Sequence, residues 1–446
     1  MNSYPLLVIG DILISVLAVY TGSMLRFQTL EGLDFQRLSI FVAVTVFVSY
    51  LAELYNLEKR TAKLELFLRV VLGLIGSFIA LTAVFYLIHL DLFYRGMFIV
   101  TLLLFGLFQY LWHVGYRVII NSSNLACKVL VLGAGSLAKT IGELIQTNNH
   151  QHMLCGYLNL TNEPIMVPVD AIIGNGSGLH KTVKKVKAHK VVVSFSERRG
   201  MFPLQDVLNC KFRGIEVVDA PSFYEDLTGK LLLENINPSW FIFSDGFKLN
   251  STIKFYKRTI DIMGALIGLA LTLPLLPLIA LVIKMDSRGP VFFQQVRVGA
   301  MDKNFSVYKL RTMRQDAEQA TGAVWAQKDD PRVTRLGRFL RKTRIDELPQ
   351  FYNVLRGDMS FVGPRPERPQ FVGKLKASIP YYSERHFVKP GITGWAQIRY
   401  PYGASEKDAL EKLRYDLYYI KNMSFLLEMT IFFETVKVML FGRGAR

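Results

Sequence analysis

The chain has 446 residues, 51% of them apolar and 20% charged, with a formal net charge of +17 and a mean hydropathy of +0.25. At ~150 residues per domain this suggests about three modules. Positive hydropathy predicts membrane segments and excludes a disordered chain or a small disulfide scaffold. The cysteines, Cys127, Cys155 and Cys210, are odd in number and far apart, and no Cys-x-x-Cys occurs. That argues against a structural zinc site and fits a reducing compartment. The basic balance suits anionic partners: lipid headgroups, phosphates or nucleic acid.

Four apolar stretches come first, at 6–25, 38–57, 70–89 and 97–119. Each approaches the ~20 residues that cross ~30 Å of hydrocarbon. The first lacks a positive n-region and contains Asp11, so it reads as a span and not as a cleaved leader. Lys59, Arg60, Lys63 and Arg69 crowd the second loop, against Arg26 and Arg37 in the first and Arg95 in the third. This bias places the N-terminus and the chain after Ile119 in the cytoplasm. Asp11 and Glu53 then lie near the cytoplasmic face. A hydrogen bond near the membrane edge accounts for them better than a transport path.

From Lys128 the pattern becomes that of a small α/β domain. An apolar run leads into Gly133-x-Gly135-x-x-Ala138, a helical pattern follows to Thr147, and further short apolar runs come at 153–158, 171–173, 191–195 and 215–218. Alternation of this kind predicts a parallel, Rossmann-like sheet over 121–250. The glycine turn could present a helix N-terminus to a phosphate. The acid that should follow the second strand to hold a ribose is missing until Glu163. A packing or regulatory role is the other reading. Tyr-x-x-x-Lys, which would make this domain a nucleotide-sugar dehydratase or epimerase, occurs only at Tyr55/Lys59, before the glycine turn.

A fifth stretch, Ile262 to Ile283, carries no charge and is long enough to cross. Lys254, Lys257 and Arg258 precede it, and Lys284, Arg288 and Arg297 follow. Both flanks favour the cytoplasmic side. Pro274 and Pro277 interrupt the middle, and proline removes a backbone donor. A helix at 260–285 that enters, bends at Pro274 and returns fits better than a fifth span.

From Ser251 onward there are 32 Lys and Arg against 18 Asp and Glu, dispersed among short motifs. These are Lys309-Leu-Arg311-Thr-Met313; Arg341-Lys-Thr-Arg344-Ile-Asp346-Glu347-Leu-Pro349; Gly363-Pro364-Arg365-Pro366; and Pro390-Gly391-Ile-Thr393-Gly394-Trp395. Adjacent carboxylates among arginines suit phosphate chemistry. A carboxylate attacks phosphorus, its neighbour holds Mg²⁺, and arginine forks neutralise the transferring group. An Asp-Glu pair alone is more often a solvated helix start. No nucleic-acid motif accompanies the basic surface.

With Gly289-Pro290-Val291-Phe292-Phe293 and Tyr415-Asp416-Leu-Tyr418-Tyr419, residues 251–446 resemble the monotopic phosphoglycosyl transferases, bacterial polyprenyl-phosphate sugar-1-phosphate transferases. The whole chain resembles their long, exopolysaccharide-type form: four transmembrane helices (1–120), the Rossmann-like domain, and an α+β monotopic catalytic domain with a re-entrant membrane helix. The resemblance implies a multi-pass protein of the bacterial inner membrane with its catalytic domain facing the cytoplasm. It implies that Asp346 takes a phosphosugar from a UDP-sugar, releases UMP, and passes it to polyprenyl phosphate. Glu347 would support Mg²⁺ with Asp346. Arg341 and Arg365 would bind phosphate oxygens, Pro364 and Pro366 would fix their loop, and Asp416 would be a further polar member. Lys309 and Arg311 read either as diphosphate contacts or as surface ion pairs. The family's Ser-Pro at the bend is here Leu273-Pro274, with Thr272 as the nearest hydroxyl. The other readings are a membrane-tethered dehydratase or epimerase and a non-catalytic scaffold of polysaccharide assembly. The partners are the UDP-sugar, the polyprenyl phosphate and membrane lipids. Pairing with a second copy is left open.

Overall fold

The computed structural model describes residues 4–441, apart from 28–34, 53, 56–62, 89–94, 121–125, 148–151, 160–163, 176–177, 195–202, 236–240, 242–243, 245, 248–249, 316, 318–329, 401–402 and 404. Glu53 lies outside the described residues. The chain divides into two units, residues 1–218 and 219–446.

The first unit opens with helices α1 (Tyr4–Phe27), α2 (Phe35–Leu51), α3 (Lys63–Leu87) and α4 (Arg95–Ile120). Three of them, over Pro5–Leu25, Leu66–Leu87 and Met97–Ile119, are long and apolar enough to cross a membrane. The fourth, α2, is apolar but 17 residues long, because the chain turns after Leu51. Phe41, Leu81, Phe85 and Phe105 form the bundle's core. Asp11, near the start of α1, is 0% exposed inside the bundle. Tyr55 Oη and Gln109 Nε2 donate to Asp11 Oδ2 at 2.8 and 2.6 Å, and His113 Nε2 lies 3.2 Å from Oδ1. Two segments distant from it in sequence, the turn at Tyr55 and helix α4, thus satisfy one carboxylate, as a polar group in an apolar bundle requires.

The same unit continues with β1 (Cys127–Leu132), α5 (Ser136–Thr147), β2 (His152–Leu158), β3 (Ile172–Gly174), α6 (Leu179–Val186), β4 (Lys190–Val193), α7 (Leu204–Phe212) and β5 (Glu216–Asp219). The strands form one sheet in the order β3-β2-β1-β4-β5, with β1 parallel to β2 and β4. The apolar runs at 153–158 and 191–195 thus become neighbours of the first strand, as alternating strands and helices demand. Gly133 has φ +124°, and a Cβ there would fall 2.6 Å from Ser194 Oγ. Close packing therefore accounts for this glycine.

The second unit begins with α8 (Ala220–Thr228). The sequence draws the domain boundary at 250. The described part of 219–250 packs on the C-terminal residues: Leu231 and Leu233 join the core of Leu413, Leu417 and Tyr419, and Trp395 Nε1 donates to Gly229 O at 2.7 Å. Then come α9 (Ser251–Thr272) and α10 (Leu276–Asp286), bent 63° from each other. Pro274 lies in the bend and has no N–H to continue the ladder. Thr272 Oγ1 donates to Gly268 O at 2.7 Å. Met263, Leu266, Leu271, Leu275, Leu278 and Leu281 are exposed along the pair, a larger apolar surface than water tolerates. The entry to α9 is anchored in the domain. Arg258 donates to Val354 O and Leu355 O, and Asp261 Oδ1 accepts from Ser360 Oγ and Phe361 N.

The remaining elements are β6 (Phe292–Val298), antiparallel to β7 (Asn304–Leu310); α11 (Arg335–Lys342); α12 (Gln350–Arg356); β8 (Ser360–Val362), parallel to β9 (Gly391–Thr393); α13 (Pro369–Ser378); α14 (Trp395–Arg399); α15 (Glu406–Lys421); and α16 (Phe425–Phe441).

Candidate active site

Asp346 and Glu347 sit in a single tight turn, Ile345–Glu347, between α11 and α12. Thr334 caps α11 by accepting from Gly337 N at 2.9 Å. The helix ends at Lys342, and Arg344 takes left-handed backbone angles, φ 59°. That conformation is strained for a residue with a Cβ. It turns the chain sharply, so both carboxylates point inward, 7% and 6% exposed.

The two acids have opposite surroundings. Glu347 Oε1 accepts from Lys309 Nζ and Arg365 Nη2, each at 3.0 Å, and Oε2 from Arg344 Nη1 at 3.5 Å. Burial pushes the Glu347 carboxyl up, but these three cations outweigh it and hold the group well below the usual range. Asp346 has no such cage. Its Oδ1 is buried with no hydrogen-bond partner. Burial first, and the like charge of Glu347 second, raise it above the usual carboxylate range.

The other sequence candidates fall around this pair. Lys309 comes from β7 and is an ion-pair partner of Glu347, not a free surface charge. Arg341 faces the cavity from α11 and donates Nε–H to Thr312 Oγ1 at 2.9 Å. Arg311 lines the same cavity, but its Nη2 donates to Ser287 O and to Ser287 Oγ at 2.9 Å. It thereby holds the chain just past the end of α10. Gly289 lies close by, and a Cβ there would fall 2.4 Å from Arg311 Nη1.

Proline explains how Arg365 is placed. The loop 364–367 has two prolines and few N–H groups, yet its four carbonyls all accept from elsewhere. Pro364 O takes Gly391 N at 3.0 Å, Arg365 O takes Arg385 Nη2 at 3.0 Å, Pro366 O takes Arg297 Nη1 at 3.1 Å, and Glu367 O takes Val298 N at 2.9 Å. Pro366 acts through this loop. Pro274 lies at the bend between α9 and α10. Asp416, 2% exposed on α15, accepts from Arg385 Nη2 at 2.8 Å. Burial pushes its carboxyl up to about 6, and the nearby guanidinium pulls the other way without cancelling it.

These groups line a cavity of about 580 Å³. Sequence reasoning grouped Arg344 with Arg341 and Arg365 around the two acids, and missed Arg385 and Thr312. Arg385 directly follows Glu384, but its carboxylate partner is Asp416, 31 residues further on. Among the described residues, no three His, Cys, Asp or Glu cluster as a ready metal cage. The unpartnered Asp346 Oδ1 nevertheless fits a cation, and Mg²⁺ commonly takes one or two protein carboxylates with substrate phosphates completing its shell.

Residues 252–442 match the family described as bacterial sugar transferase. The exopolysaccharide production protein PSS of Rhizobium leguminosarum bv. phaseoli is 44% identical over 185 residues, which cover 92% of that protein and 40% of this chain. The chain belongs to the bacterial sugar transferases. Two longer relatives of this sugar transferase match over more residues. The UDP-N-acetylgalactosamine-undecaprenyl-phosphate N-acetylgalactosaminephosphotransferase of Aeromonas hydrophila is 45% identical over 238 residues, 53% of this chain and 55% of that protein. The undecaprenyl-phosphate glucose phosphotransferase of Komagataeibacter xylinus is 35% identical over 330 residues, 72% of this chain and 60% of that protein. The chain thus spans little more than half the length of these two. The family segment runs from the start of α9 through α16 and contains the whole carboxylate site.

Proposed function

We propose that the chain transfers a sugar 1-phosphate from a UDP-sugar to polyprenyl phosphate, with Asp346 as a covalent carrier, in exopolysaccharide or capsule assembly. The observation that carries this is the buried Asp346 oxygen without a partner, beside a Glu347 already neutralised by three cations. In the first step an Asp346 oxygen attacks the sugar-linked phosphorus. The bond from that phosphorus to the bridging oxygen breaks, and UMP leaves with the electron pair. In the second step the phosphate oxygen of polyprenyl phosphate attacks the same phosphorus, and the Asp346 carboxylate leaves. Arg341 and Arg365 bind the equatorial oxygens, where guanidinium forks are strongest. Lys309 keeps Glu347 ionised and oriented. Asp346 and Glu347 would hold Mg²⁺, which supplies Lewis-acid neutralisation of the donor's diphosphate. Names of relatives that specify undecaprenyl phosphate support the acceptor.

The membrane course follows the same reading. α1–α4 cross the inner membrane four times, the 17 residues of α2 lying at the short end of what a span needs. The α9–α10 pair enters and returns to the cytoplasmic face, because both ends are basic, Lys257 and Arg258 at the entry are bonded to the catalytic domain, and Arg311 of that domain holds Ser287 at the exit.

The test is UMP release by purified protein with UDP-glucose, UDP-N-acetylgalactosamine and other UDP-sugars, with and without undecaprenyl phosphate and Mg²⁺. Lipid- and metal-dependent release with one donor supports the reaction. Release that survives Asp346→Asn removes the covalent step.

A further inference from the structure

Arg365 presents an unusual problem of placement. Its side chain is 40% exposed and reaches Glu347 through one nitrogen. Packing therefore does not fix it, and its backbone must. The bond to its own carbonyl comes from Arg385, which is 5% exposed on the turn Tyr382–Phe387. A buried guanidinium is costly to desolvate unless it is paired. Arg385 is paired three ways: to Tyr382 Oη at 2.6 Å, to Asp416 Oδ2 at 2.8 Å and to Arg365 O at 3.0 Å. Burial works against its charge, and Tyr382 and Asp416 outweigh that effect. Nη2 alone bridges a carboxylate on α15 and a backbone carbonyl in the proline loop, while Nη1 reaches Tyr382 Oη. A lysine has one tetrahedral nitrogen and no planar fork to serve Tyr382 and the Asp416–Arg365 bridge in fixed directions.

We propose that Arg385, locked by Asp416 and Tyr382, is the positioning residue that sets Arg365 against the Asp346–Glu347 pair for the donor's diphosphate. This rests on the reading of the cavity as a UDP-sugar site. Asp416 then serves the site through Arg385, without touching substrate.

The experiment is a mutant cycle on the full chain in detergent or nanodiscs. The paired change Arg385→Gln with Asp416→Asn removes both charges, so no unpaired buried charge remains to unfold the domain. Arg385→Lys, which keeps the charge, is the second variant. Each should lower kcat/KM for the UDP-sugar by about tenfold and leave KM for undecaprenyl phosphate within about twofold. In an Arg365→Lys background the same changes should cost less than about twofold more, because groups acting through one another are non-additive. Losses that multiply, or variants equal to wild type, overturn the proposal. Calorimetric binding of UDP runs the same cycle without turnover. Wild-type protein that binds UDP but releases no UMP therefore refutes the reaction, while the binding cycle still decides the role of Arg385.

Discussion

The chain buries two aspartates in two very different ways. Asp11 in the helix bundle is 0% exposed and has both oxygens engaged by Tyr55, Gln109 and His113. Asp346 in the C-terminal unit is 7% exposed, with one oxygen lacking any partner among several cations. A buried carboxylate with every acceptor filled is a fastener, since any new bond must displace an old one. A buried carboxylate with an empty acceptor is held at a cost, and that cost is recovered when a ligand arrives. Burial alone does not separate structure from chemistry; the state of the second oxygen does.

The sharpest test of this contrast exchanges each acid in turn. Asp346→Asn should reduce UMP release by at least about a thousandfold, as loss of a covalent nucleophile does. Asp11→Asn should leave release per folded molecule within about threefold, since it touches no substrate group. Comparable losses from the two would break the contrast. Next in size is Arg365→Lys, which keeps the charge and loses the fork. An effect of about ten- to a hundredfold on kcat/KM is expected, measured with the donor that wild type prefers. Asp11→Leu should cost about 1–2 kcal/mol of stability, because three donors lose their acceptor inside an apolar bundle. Thermal unfolding in a single detergent measures it.

The smallest expected effect is on pH dependence. Burial raises the Asp416 carboxyl from the ordinary 3.8 to about 6. The folded protein therefore prefers this group protonated. Its contribution is fully present below pH 3.8 and is lost as pH rises through about 6. The difference in unfolding midpoint between wild type and Asp416→Asn should change across that window and be flat above it.

The legible parts of the molecule were those written locally. The glycine-turn run at 128–138, the apolar helices and the Asp346–Glu347 block each occupy one continuous piece of sequence with a recognisable period or spacing. Placement across sequence was not legible. Lys309 could be read only as a diphosphate contact or a surface charge, because its partner Glu347 lies in another motif. Arg311 reads from sequence as a diphosphate contact or a surface ion pair, whereas its Nη2 closes on Ser287 near the end of α10. Arg385 was passed over because its meaning depends on Asp416, an element later in the chain, and on a carbonyl, which sequence never displays. A hydrogen bond to Asp11 is legible from its apolar setting, but its partners Tyr55, Gln109 and His113 are not, because no local signal ties them to it.

Arg311 stands two positions after Lys309 of β7, just past the strand's end. One grips the chain just after the apolar hairpin, and the other grips Glu347. A displacement at the end of α10 therefore reaches the carboxylate beside Asp346 through two neighbouring side chains.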